Sequence, residues 1–234
     1  WFLFLGYELA AEIEPTLDIT PDSILPTAFA VRCPAAIIHD HKHDRFYAIC
    51  ENEQNRNFEE LLSDTANTCT DNESDEPLVK KIMTKLITSE EAPESFLYAV
   101  RKAKDYIAAG DIFQANLSRR WSYKVDTKLY SDAIYANLCK SNPAPFAGLA
   151  YWQDTAIVSS SPERLLSVRN RIMSTRPIAG TRPRSMDPQK DMVLSAELIS
   201  HPKERAEHVM LIDLERNDLG RVCKAGTVEV DEMM

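Results

Sequence analysis

Two glutamates one helical turn apart open an apolar run late in the chain. The stretch KERAEHVMLIDLERNDLGRV, residues 203–222, sets Glu204, Glu207 and His208 ahead of Leu211 and Leu214. Read as a helix beginning near Ser200, it places Glu204, Glu207, His208, Leu211 and Leu214 on one stripe, with Ala206, Val209, Met210 and Asp213 to the side. Carboxylates at i and i+3 repel weakly in water and far more strongly if buried together. A divalent cation removes that conflict. Mg²⁺ takes hard oxygen ligands, keeps several waters, and is commonly held by one or two carboxylates plus oxygens of a substrate. The competing reading is that both glutamates face solvent and pair with Lys203, Arg205 or Arg216.

Two further stretches carry chemistry. RPIAGTRPR, residues 176–184, gathers three arginines, Gly180 and Thr181 between prolines. Gly180 lets backbone approach a ligand, Thr181 offers a hydroxyl, and arginine forks suit carboxylates; the alternative is a basic loop answering acidic surroundings. SSSPERL, residues 159–165, places Glu163 at a tight turn after a strand, where it can donate a proton or cap the turn. His39, His41 and His43 alternate in HDHKHD; on a strand they would share a face suited to a metal, and in a turn they are simply solvated.

The elements that must position these groups are legible from periodicity. FAVRCPAAIIHDHKHDRFYAIC (29–50) reads as two β-type runs around a polar turn, and WFLFL (1–5) as a buried strand. Residues 63–77, SDTANTCTDNESDEP, read as an exposed acidic loop. PESFLYAVRKAKDYIAAG (93–110) is an amphipathic helix stopped by Gly110, and DIFQANLSRRW after it has a strand's period of two, with Gln114, Asn116, Ser118 and Arg120 on its polar face. A short helix starts at Ser131, then FAGLAYW, TAIVSSS, RLLSV and RIMSTRPI form a β meander. Asp187–Pro188 and Ser200–Pro202 each begin a helix. Strands and helices segregate, so the class is α+β, antiparallel β-sheets with helices packed outside.

Composition limits the function classes. The chain has 234 residues, 44% hydrophobic, with a net charge of -9. No basic block stands out, which argues against nucleic acid or an anionic membrane as partner. Five scattered cysteines without a CxxC pair read as reduced thiols, hence a cytoplasmic protein. No segment approaches the roughly 20 apolar residues of a bilayer span. A first residue of Trp implies a piece of a longer chain.

GDIFQANLS, NPAPFAG, SSSPERL, RPIAGTRPR and KERAEHVMLIDLERNDLGRV, in this order, resemble the chorismate-utilising enzymes, component I of aminodeoxychorismate synthase and of anthranilate synthase. The similarity runs from about residue 93 onward, and more weakly over LGYELAAEIEP. It implies one catalytic domain over 1–234, truncated at both ends: an N-terminal β-rich part (1–62), the acidic loop (63–80) and the first part of the catalytic core (81–234). By position, the resemblance makes Glu207 a Mg²⁺ ligand with Glu204 assisting. It places Gly180 and Thr181 against chorismate, and Glu163 where it protonates the departing hydroxyl.

Gln114 stands where water-adding relatives have a lysine base, which implies amination by ammonia from a glutamine amidotransferase partner. NLSRRW and NPAPFAG look like the aminodeoxychorismate branch of folate biosynthesis; Ala179 in PIAGT looks like anthranilate synthase, since the folate branch usually has a lysine there. A catalytically degenerate subunit of the same fold is a further alternative. The family's second glutamate pair, a substrate-binding arginine and additional strands would follow Met234, so this piece alone is expected to be inactive.

Overall fold

The computed structural model describes residues 1–20, 24–51, 56–68, 87–124 and 131–233. Two compact units result, Trp1–Ile134 with Ala150–Ala156, and Tyr135–Leu149 with Ile157–Met234.

In the first unit, β1 (Phe2–Leu5) pairs antiparallel with β2 (Ala28–Val31), and Phe29 stacks on Phe4 and Trp152 at ring separations of 5.1 and 4.4 Å. The expectation of a buried first strand is corrected: Trp1, Leu3 and Leu5 are exposed. Pairing with a neighbour satisfies backbone groups but covers no face. A short α1 (Ala10–Ile13) follows β1. β3 (Ala35–Asp40) and β4 (Arg45–Cys50) make the hairpin read from sequence, in register from Ala35 opposite Cys50 to Asp40 opposite Arg45. His41 and His43 lie in its turn, while His39 lies on β3 opposite Phe46. His39 stacks on Phe46 and sits 3.0 Å from Asp44, while His43 Nδ1 lies 2.7 Å from Asp40.

Helix α2 (Arg56–Thr68) takes up residues 63–68, which the sequence reading gave to the acidic loop; residues 69–80 of that loop lie outside the described residues. β5 (Ile87–Glu90) pairs antiparallel with β6 (Trp121–Lys124). Between them α3 (Pro93–Ala109) ends at Gly110 with φ 81°, the left-handed stop its glycine permits. Of the strand expected from Phe113 to Trp121, only Trp121 enters β6. Residues 113–120 have an alternating pattern but form no strand, because alternation specifies faces and a strand also needs a neighbour's ladder. Arg119 anchors this stretch, paired with Glu90 and packed over Trp121 at 5.2 Å.

The second unit contains α4 (Ser131–Ser141) from Tyr135 onward. β7 (Phe146–Trp152) and β8 (Thr155–Ser161), whose tip Ala150–Ala156 is counted with the first unit, pair and turn through Gln153 at φ 50°. β9 (Ser167–Arg169) and β10 (Ile172–Ser174) close through Asn170 and Arg171, both at positive φ, the geometry of a type I′ hairpin turn. The meander therefore resolves into separate hairpins. α5 (Pro188–Ser200) begins as read, with the Asp187 carboxylate accepting the Gln189 N–H at 3.0 Å and proline in the first turn. His201 is extended at ψ 118°, and Pro202 opens α6 (Pro202–Val222). Among the described residues no side chain is fully buried, and no helix is long and apolar enough to cross a membrane. Cys33, Cys50, Cys139 and Cys223 are free thiols.

Candidate active site

Glu163, Gly180, Thr181, Glu204 and Glu207 all belong to the second unit, while Gln114 belongs to the first, where it is exposed in the irregular stretch after α3. The tightest association is between Gly180 and Glu204. A Cβ on Gly180 would lie 2.6 Å from Glu204 Cδ and 3.1 Å from Cγ, with Oε2 nearer still. The missing side chain at Gly180 lets the loop sit directly on a carboxylate, and a Cβ there would push the Glu204 side chain aside. Glu204 is 15% exposed, and the Arg182 guanidinium lies 3.7 Å from its Oε1. Arg182 in turn donates to Glu197 Oε1 at 3.1 Å and to the Thr181 carbonyl at 2.9 Å, tying the loop to α5 and α6 together.

Glu207 is half-buried on the same helix, with Lys203 Nζ at 3.5 Å. Glu204 thus faces the loop, while Glu207 keeps one of the surface partners that the competing reading named. All three arginines of RPIAGTRPR also meet carboxylates. Arg176 reaches Glu232 at 2.8 Å, and Arg184 grips Asp191 at 2.8 Å. The Arg184 hydrogen bond, helped by the Ser185 N–H, holds the Asp191 carboxyl below the usual carboxylate range.

Glu163 does not cap its own turn with its side chain; Ser161 does that work, donating to the Glu163 carbonyl at 3.1 Å. Its Oε1 instead accepts the Ile178 N–H at 2.8 Å, joining the SSSPERL turn to the irregular segment that leads into Gly180. Arg164 to Ser174 and Thr175 to the Leu165 carbonyl reinforce that join. Glu163 and Thr181 are exposed.

The structure adds one carboxylate that the sequence reading passed over. Leu214, read onto the same stripe as Glu204, is exposed, and Glu215 is half-buried beside it. At 3.6 residues per turn Glu215 lies about 20° around the helix from Glu204, against about 80° for Leu214. An angular projection would have found it. Glu215 lines a groove of 480 Å³ with Thr175, Pro177 and His208. Burial pushes its carboxyl above the ordinary range; a Thr175 hydrogen bond opposes this, and the charge of Glu163 adds to it.

Two carboxylates of one helix, one of them seated on a loop glycine, are a donor set that fits Mg²⁺, which would complete its shell with waters and substrate oxygens. Among the described residues no group of three His, Cys, Asp or Glu side chains is arranged to hold a metal.

Residues 1–234 match the family described as chorismate binding enzyme. The chain is 40% identical over 238 residues to an anthranilate synthase component I-like protein of Synechocystis, covering 100% of this chain and 47% of that protein. It is 49% identical over 141 residues to aminodeoxychorismate synthase component 1 of Bacillus subtilis, covering 60% of this chain and 30% of that one. Anthranilate synthase component 1 of Geobacillus stearothermophilus is 38% identical over 251 residues, covering 99% and 49%. Among solved structures, anthranilate synthase component I from Streptococcus pneumoniae superposes with a TM-score of 0.71 at 30% identity, over 94% of this chain and 49% of that one. The chain thus spans about half the length of these full-chain relatives. The hairpins and helices above are an incomplete chorismate-binding fold, and the chain belongs to the chorismate binding enzyme family.

Proposed function

We propose that the whole protein aminates chorismate to 4-amino-4-deoxychorismate, using ammonia supplied by a glutamine amidotransferase partner. The observation that carries this reading is the Glu204 carboxylate seated against Gly180, which joins the two stretches the reaction needs, an acid pair and an anion-receptive loop. Glu204 and Glu207 would hold Mg²⁺. Bound there, the ion supplies an electrostatic anchor for a substrate carboxylate. The Gly180–Thr181 backbone and the Thr181 hydroxyl receive the ring and its acid group. Glu163, fixed by the Ile178 N–H, delivers a proton to the departing hydroxyl as the carbon–nitrogen bond forms. Gln114 is a neutral amide and cannot deprotonate water, which favours ammonia as the nucleophile.

A second reading, anthranilate formation, is favoured by Ala179 in PIAGT and by the full-chain similarity to anthranilate synthase component 1. Incubating the intact protein with chorismate, Mg²⁺ and ammonium and identifying the product separates the two. Aminodeoxychorismate supports the first, anthranilate the second, and undiminished chorismate refutes both.

A further inference from the structure

We infer that Arg182 is a positioning residue for the acid pair: its guanidinium is a built-in cation that competes with Mg²⁺ for Glu204, and Glu197 weakens that competition by holding the arginine from the other side. This deepens the reading in which Glu204 and Glu207 hold the ion, and it rests on that reading.

The contacts divide the guanidinium between two acids. Its Nε donates to Glu197 Oε1 at 3.1 Å and its Nη1 to the Thr181 carbonyl at 2.9 Å, so its hydrogen bonds go to α5 and to the loop. Toward Glu204 it offers charge alone, since 3.7 Å from Nη1 to Oε1 is beyond a hydrogen bond. Among the described residues Glu204 accepts no hydrogen bond and has no second ion-pair partner. A carboxylate only 15% exposed, with its lone pairs uncommitted and one cation just out of bonding reach, is neutralised without being occupied.

Glu207 is compensated more weakly. Lys203 Nζ is 3.5 Å from it on a side chain 74% exposed, where water screens the pair. The Arg182 side chain is 23% exposed, so of the two cations it is the one whose charge is felt at the acid pair. A positive charge already standing at Glu204 opposes Mg²⁺ there. Glu197, 54% exposed, offsets part of that charge through its hydrogen bond.

Calorimetric titration of the intact protein with Mg²⁺ tests this. Arg182→Gln is expected to lower the Mg²⁺ dissociation constant about fivefold. An arginine that only braced the loop would raise it on removal, so an unchanged or raised constant overturns the proposal. Arg182→Lys keeps the charge without the fork and should stay within about twofold of the parent; a larger loss of affinity points to bracing and overturns it too. Glu197→Gln should raise the constant about twofold, and that effect should vanish in Arg182→Gln/Glu197→Gln because it acts through the arginine; equal effects in both backgrounds overturn the role of Glu197. If the parent binds no Mg²⁺, the metal reading of the acid pair fails, and the sharing of the arginine is decided by urea unfolding of the metal-free protein. The coupling between Arg182 and Glu204 in a double-mutant cycle is expected to grow when Glu197 is replaced by Gln; an equal coupling overturns the sharing.

Discussion

An alanine at position 180 measures how closely the loop and Glu204 must fit. Gly180 does not occupy a left-handed backbone conformation, so the added methyl group brings no dihedral strain and acts only through contact. The new Cβ would lie 2.6 Å from Glu204 Cδ. Carbon atoms at rest sit about 3.5–4.0 Å apart, so the carboxylate must retreat by about 1 Å. A displacement of that size at a reacting centre can cost about 10²-fold in rate. The fold should suffer much less, because what yields is the end of a flexible side chain. Overpacking of about 1 kcal/mol corresponds to a melting temperature lowered by about 2–4 °C in a chain of this length. The assay is kcat for chorismate consumption, with Mg²⁺ affinity by calorimetry and melting by circular dichroism. Glu204→Asp is one methylene shorter, and the double variant Gly180→Ala/Glu204→Asp should regain part of what the alanine loses, as coupled neighbours do. If Gly180→Ala keeps both the parent's rate and its Mg²⁺ affinity, the fit between loop and carboxylate has no functional meaning and the reasoning fails.

Other consequences are accessible to simple measurements. Asp187→Ala removes the carboxylate that accepts the Gln189 N–H and should cost about 1 kcal/mol in thermal or urea unfolding without changing turnover. Gly110→Ala meets no atom within 4 Å, so its cost of about 1–2 kcal/mol comes only from the left-handed backbone, and Gly110→Asn should cost less. Asp191 has a carboxyl lowered in the fold, so the stability it contributes is present above its unfolded value of about 3.9 and is lost as pH falls through the folded one; Asp191→Asn should flatten the acid side of the stability curve. Arg182→Gln removes the guanidinium beside Glu204, and added Mg²⁺ should then raise the melting temperature more than in the parent; an equal rise would refute the link.

Much of this was readable from residue patterns, for reasons that differ by element. α3 and α5 announce themselves through local punctuation, Gly110 after an amphipathic run and Asp187–Pro188 before one, and local backbone chemistry decides both ends. The hairpin at 35–50 follows from a polar turn between apolar runs. Residues 113–120 show the limit: their alternation is real, but whether a neighbour lies alongside is not written in the segment itself. WFLFL fails for a similar reason, since apolar composition does not name what will cover it. In the site, Glu204 lies against Gly180, a contact that no spacing within either stretch specifies, and the error over Leu214 arose from stepping by three residues where a helix advances by 3.6. Arg182 as the bond between α5 and α6 was invisible, because Glu197 belongs to no motif.

The joint at His201–Pro202 bears on that bond. Run as one unbroken rod, the segment would set Glu197 and Glu204 about 10 Å apart along its axis, beyond what one guanidinium can span. Proline denies its own N–H to the ladder and turns the preceding residue extended, so the rod must bend at that point. The bend brings an acid from each arm to the same arginine, and whatever straightens it would separate them.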